Sequence, residues 1–339
     1  MRILYIIPGF DEGGAEVHVL NLIRELHGRH EITLATCGGK LEAELPDDVK
    51  IIHLPVERKN IFTGLYCAGK LKKYDEKARW EIIHAHSRVP AWIAWMLSRE
   101  VSAKWLMTAH SLYSLNAGLI PLKHADGVIC VSEAVRRHLQ NHLPRNVITI
   151  PNGIIPPDFL HKDFSHEGMN KFLFVGRLTR LKGLDVVLRA MSELKEYAFT
   201  LDVVGDGAQR TELEALTREL GLNDRVKFLG AKNREQVGLM MAESSCLVFP
   251  SYSEGMGLVV LEALAAGLPV IASDLEALRE FASGELVPSG DVGAWREAVR
   301  EFIAEKKASP LNAGHITTIQ EMAGQTENYY ARITKNDPA

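Results

Sequence analysis

A chain of 339 residues can bury two hydrophobic cores, and 46% hydrophobic with 24% charged residues is the balance of a globular protein, not a disordered or fibrous one. No run reaches the roughly 20 apolar residues of a membrane span, and the opening MRILYIIPGF breaks too soon for a signal peptide. The net charge of −4 excludes a general basic field, and no platform of aromatic and basic residues is visible, so no nucleic-acid partner is expected.

The charge is unevenly spread. Up to Pro156 there are 19 Lys and Arg against 16 Asp and Glu, a balance of +3; the remainder has 20 against 27, a balance of −7. Ten of the 13 histidines also lie in the first part. The basic half is the one suited to an anionic partner.

In chain order, short apolar runs read as strands: RILYIIP, EITLATC, VKIIHLP, EIIHAHS, KWLMTAH, GVICVS and VITIPNG. Helix-like stretches separate most of them, as at 15–28, where Val19, Leu22, Ile23 and Leu26 share a face. Strands that are apolar on both faces and alternate with helices predict parallel sheets covered on both sides. Residues 156–170, rich in Pro, Gly, charge and His, read as a linker. The pattern then restarts with KFLFVG, FTLDVVG, RVKFLG, SCLVFPS, LPVIAS and GELVP. The final segment, about 310–334, follows a Ser-Pro break and reads as a helix returning to the first domain. The expected organisation is therefore α/β, with two Rossmann-like domains at 1–156 and 170–308 and a C-terminal segment at 309–339. The four cysteines, Cys37, Cys67, Cys130 and Cys246, lie far apart and predict reduced thiols in a cytoplasmic protein.

Two open α/β sheets bind ligands at the carboxyl ends of their strands, so the chemistry should come from strand-end loops. After the first strand, Gly13 and Gly14 open a helix whose amides could meet an anion; a plain turn would use glycine as well. The spacing is not the G-x-G-x-x-G of a dinucleotide site. His84 and His86 share one face of a strand, too few ligands for a metal, which favours a core or cleft-lining role. In FVGRLTRLKG, Arg177 and Lys182 place two cations near a strand end, suited to a diphosphate or merely a solvated basic turn. In PSYSEGMGLVVLEALAAG, Ser251, Glu254 and the amides of Gly255, Met256 and Gly257 precede a helix, while Glu262 lies inside an apolar helical run and needs a partner if buried.

These stretches, with GGAEVHVLNLI, EIIHAHS, TAHS, CVSEAV and IPNGI in order, resemble the family 4 retaining glycosyltransferases of the GT-B fold, over nearly the whole chain. The E-x7-E motif formed by Glu254 and Glu262 is the most specific match. The resemblance implies two domains facing across a cleft, the first for the acceptor and the second for a nucleotide-sugar donor. It implies that Arg177 and Lys182 neutralise the donor diphosphate and that Glu254 and His110 contact the transferred sugar. The amides from Gly255 through Met256 and Gly257 to Leu258 would hold phosphate and sugar, Glu262 the ribose, and Gly14 would lie in a loop reaching the diphosphate. Leu275, Glu276 and Ala277 stand where the family often has a Gly-Gly pair, and Met256 replaces a more usual aromatic residue.

The expected reaction is transfer of a hexose or N-acetylhexosamine from a UDP-sugar, with retention, to a glycan or lipid-linked acceptor in cell-envelope polysaccharide or lipopolysaccharide synthesis. No D-x-D motif occurs, and no metal or other cofactor is needed to explain the leaving-group charge. A sugar-nucleotide epimerase of the same fold would act on donor alone; an NAD-dependent oxidoreductase shares the architecture but lacks its fingerprint. Residues 58–79 combine Ile61, Phe62, Leu65 and Tyr66 with Lys70, Lys72, Lys73, Lys77 and Arg79. They read either as a helix whose apolar side packs on the first sheet or as a basic amphipathic segment on an anionic membrane, at its inner face.

Overall fold

The computed structural model describes residues 1–11, 13–154, 170–305 and 311–335. The chain divides into two compact units, Met1–Gly153 with Thr317–Ala339, and Ile154–Ile316. The predicted linker at 156–170 and the Ser-Pro break fall almost wholly outside the described residues.

The first unit is a seven-stranded sheet in the order β3-β2-β1-β4-β5-β6-β7. Its strands are β1 (Arg2–Ile6), β2 (Glu31–Thr36), β3 (Lys50–His53), β4 (Ile82–His86), β5 (Lys104–Ala109), β6 (Gly127–Cys130) and β7 (Val147–Thr149), all pairing in parallel. Helices α1 (Gly14–Leu26), α2 (Ile61–Ala78), α3 (Arg88–Ser98) and α4 (Glu133–Leu139) lie between them. The seven apolar runs of the sequence supply these seven strands; in inner strands such as β4 and β6 burial on both faces leaves no polar alternation, while the edge strands β3 and β7 are more exposed. Strand order reverses between β1 and β4, so loops leaving the carboxyl ends there part to opposite faces.

The second unit repeats the scheme with five parallel strands in the order β10-β9-β8-β11-β12. These are β8 (Asn170–Val175), β9 (Phe199–Val204), β10 (Val226–Gly230), β11 (Cys246–Phe249) and β12 (Val270–Ala272). Its helices are α5 (Leu184–Ser192), α6 (Arg210–Glu219), α7 (Arg234–Ala242), α8 (Leu258–Ala265), α9 (Glu276–Arg279) and α10 (Val292–Glu305). The order reverses between β8 and β11, the two strands that feed the 177–182 and 250–258 loops.

Two elements differ from the sequence reading. GELVP does not form a strand of the parallel sheet: Gly284 ends β13 (Ala282–Gly284), which pairs antiparallel with β14 (Leu311–Ala313), and Val287 makes an isolated bridge to Ser273. Pro288 has no amide hydrogen to extend a ladder. The last helix, α11 (Ile319–Thr334), begins well after residue 310, where the Thr318 side chain and Glu321 form a reciprocal capping box. It belongs to the first unit: Ile319, Met322, Tyr329, Tyr330 and Ile333 share a core with Ile3, Tyr5 and Leu22. Gln320 donates to Glu25 at 3.0 Å, and His30 meets Glu327 at 2.7 Å.

Candidate functional site

In the second unit, Arg177 follows β8 on an exposed turn and makes no ion pair among the described residues. Lys182 closes the short 3₁₀ turn Arg180–Lys182, and Gly183 follows at φ 62°. A Cβ on Gly183 would stand 2.2 Å from the Pro250 carbonyl oxygen, so only glycine lets this turn press on the loop after β11. The Tyr252 amide donates to the Leu181 carbonyl at 2.8 Å and locks the two loops together. That contact brings Lys182 Nζ to 2.5 Å from Glu254 Oε1, with the Lys182 ammonium also 5.4 Å from the centre of the Phe249 ring. Lys182 and Glu254, 72 residues apart, are thus a partly buried ion pair, the side chains 25% and 13% exposed.

Gly255, Met256 and Gly257 are buried between Glu254 and α8. Gly257 caps that helix at φ 79°, and a Cβ there would meet Leu278 Cδ2 at 2.7 Å. No side chain caps α8; Val260 already donates to the Gly257 carbonyl at 2.9 Å, so the amides at Leu258 and Val259 are the ones a ligand could meet. Glu262 lies in the second turn, about 6 Å along the axis from Leu258 at 1.5 Å per residue. Its carboxyl faces Arg234 of α7 at 3.6 Å, and burial raises its pKa above the ordinary glutamate value while that guanidinium pulls it down. The structure does not pair Glu262 with Glu254.

Gly14 and His110 lie in the other unit. Gly14 is exposed at the start of α1, which has Gly13 as its cap and no side-chain cap. His110 follows β5 directly and stands in a column of buried rings. His86 Nδ1 is 3.0 Å from His110 Nε2, and the His84 and His86 ring centroids are 4.1 Å apart. His18, from α1, meets the His110 ring edge-on at 4.8 Å. His84 is held at both ends, 2.6 Å from the Tyr330 hydroxyl of α11 and 2.7 Å from Thr108 Oγ1, and Tyr330 in turn meets the Tyr5 hydroxyl at 3.0 Å. Burial, together with neighbouring histidines, holds His84, His86 and His110 far below the usual histidine range; burial takes His18 down to about 4, with Asn152 acting against it. All four rings are therefore neutral at physiological pH.

The sequence reading missed Arg234, His18 and Tyr330. Arg234 carries no motif. His18 sits inside GGAEVHV, where only the glycines drew notice, and Tyr330 reaches the site from 246 residues beyond His84.

Two family models match the chain. Residues 12–156 match a model described as Glycosyltransferase Family 4, and residues 158–313 one described as Glycosyl transferases group 1. The chain belongs to the glycosyltransferases. Among related glycosyltransferases, a D-inositol 3-phosphate glycosyltransferase of Xylanimonas cellulosilytica is 25% identical, with 97% of this chain and 94% of that one covered. Among solved structures, a glycosyltransferase from Rickettsia africae superposes with a TM-score of 0.81 at 22% identity, over 99% of both chains. Anabaena HepE, in complex with UDP and glucose, gives 0.80 at 19% identity, again over 99% of both. At such identities the likeness is one of fold, and that fold is GT-B.

Proposed function

We propose that this glycosyltransferase moves a hexose or N-acetylhexosamine from a UDP-sugar, with retention at the anomeric carbon, to a glycan or lipid-linked acceptor of the cell envelope. The second unit is the donor half and the first the acceptor half. The observation that carries the reading is the Lys182–Glu254 pair, held at the switch point of a parallel sheet beside the uncapped start of α8. A diphosphate entering there meets Arg177, Lys182 and the amides at Gly255, Met256, Gly257 and Leu258. These preorganised donors stabilise the charge that grows on the leaving phosphate without a metal ion. Drawing Lys182 onto the phosphate frees Glu254 to accept hydrogen bonds from the sugar hydroxyls. Glu262 is assigned the ribose, His110 the transferred sugar, and the Gly14 loop the diphosphate. The leaving phosphate takes the acceptor proton on the same face, which gives retention; no carboxylate is assigned the role of nucleophile.

The outer side of α2 supports a lipid acceptor. Ile61, Phe62, Leu65 and Tyr66 are 60, 79, 55 and 53% exposed, and Gly64, Cys67, Ala68 and Leu71 are the residues turned inward. The apolar side named in the sequence is therefore in solvent, not packed on the sheet. Arg58 and Lys59 precede it and Lys70 and Lys73 follow, a complement to anionic headgroups. Among the described residues no helix is long and apolar enough to cross a membrane.

A hydrolysis screen across nucleotide sugars, reading released nucleotide, tests the donor. Release from UDP-sugars above other bases is expected, and a new sugar linkage only when acceptor is added. Release from no nucleotide sugar, or conversion of donor to an isomeric sugar nucleotide without acceptor, would overturn it.

A further inference from the structure

The rings gathered where β4 and β5 end exceed what one sugar contact needs. His18 comes from α1, His86 is the last residue of β4, and His110 follows β5, so three separate elements aim imidazoles at one point. One ring nitrogen of each lies within 4.8 Å of the other two. His18 and His86 are 4% and 0% exposed. Both ring nitrogens of His18 are buried without a hydrogen-bond partner among the described residues. Buried polar atoms in a folded protein are almost always satisfied, and an orphan pair of nitrogens in a cluster of lone-pair donors calls for an ion or water.

The donor set is all imidazole nitrogen, which suits zinc and its first-row neighbours and does not suit magnesium or calcium. Metal–nitrogen bonds of about 2.0–2.1 Å put tetrahedral ligands roughly 3.3 Å apart. His86 Nδ1 and His110 Nε2, at 3.0 Å, are already near that spacing. The widest separation of 4.8 Å closes with side-chain shifts of under about 1 Å for each ring, within the reach of χ rotation on a fixed backbone. Strand ends and a packed helix supply that backbone.

We infer that His18, His86 and His110 form a binding site for a divalent transition-metal ion of the zinc class, with the fourth position open. The site shares His110 with the sugar contact proposed above, and titration with metal in the absence of any sugar nucleotide tests it separately from that contact. Chelator-stripped full-length protein titrated with Co²⁺ alone tests it, through the visible absorption of nitrogen-ligated tetrahedral cobalt. A saturable signal at one ion per chain is expected, displaced by Zn²⁺. His18→Gln, His86→Gln and His110→Gln should each weaken binding by at least about tenfold, the scale on which even outer-shell partners act. His53→Gln, on an exposed residue outside the cluster, should leave it unchanged. Should His18→Gln lose cooperative thermal unfolding, the less buried His110→Gln decides. No absorption from the wild-type protein, or binding that all three substitutions leave intact, would overturn the site.

Discussion

At the residue scale, Glu262 shows a side chain kept at a cost to stability. Burial raises its pKa, so the folded chain holds that proton more tightly than the unfolded one. Its favourable contribution is complete below the ordinary glutamate pKa and is lost as pH rises through the raised folded value. Glu262→Gln removes this titration. Its thermal midpoint at neutral pH should equal or exceed that of the wild type, and the fall in stability across that acidic window should flatten. The charged hydrogen bond proposed between Glu262 and a ribose would be lost in this variant, and nucleotide binding should weaken by about 10–100-fold. A variant less stable than wild type at pH 7, with nucleotide affinity intact, would show that Glu262 serves the fold and not the ligand. Both glutamates could be named from E-x7-E, but not their partners. Lys182 stands 72 positions before Glu254, and Arg234 lies on a helix with no signature; only folding brings these pairs together.

At the element scale, the turn at Arg180–Gly183 is set by one backbone conformation. Gly183→Ala puts a Cβ 2.2 Å from the Pro250 oxygen at a φ of 62°. The strain should lower stability by about 1–3 kcal/mol and shift Lys182 away from Glu254. Denaturant unfolding checks the first effect, and UDP affinity the second. Wild-type values for both would mean the two loops are not coupled. Helix α2 invites a different measurement. Flotation with vesicles containing anionic phospholipid should carry the wild-type protein and leave behind the variant with Phe62 and Tyr66 both changed to Ser. Because both side chains are more than half exposed, thermal stability should stay within about 0.5 kcal/mol. Equal flotation of the two proteins would remove the membrane contact. Periodicity located α2 but could not orient it, since Ile61, Phe62, Leu65 and Tyr66 alone make a plausible inward stripe. The stripe that packs is Gly64, Cys67, Ala68 and Leu71, small residues that bring the helix close. GELVP failed as a strand for a related reason: an apolar run records burial, and Leu286 and Val287 reach that burial without a ladder.

At the scale of the whole molecule, both sheets were legible because doubly buried strands such as Ile3–Ile6 and Cys246–Phe249 leave continuous apolar runs that helices interrupt. The switch points were not legible, because strand order is not written in any one strand. That of the second sheet puts the 177–182 and 250–258 loops on neighbouring strands β8 and β11, and that of the first brings His18, on the helix after β1, beside His86 at the end of β4. The same holds for the return of α11, whose Tyr330 hydroxyl completes the histidine column from the far end of the chain. The proposed transfer needs a diphosphate seated at Arg177, Lys182 and the start of α8. Calorimetric binding of uridine, UMP and UDP to the wild-type protein and to Lys182→Ala tests this most directly. Wild type should bind UDP about tenfold or more tightly than uridine; Lys182→Ala should lose most of that gain and keep its affinity for uridine. Equal loss for uridine and UDP, or no loss for either, would contradict it.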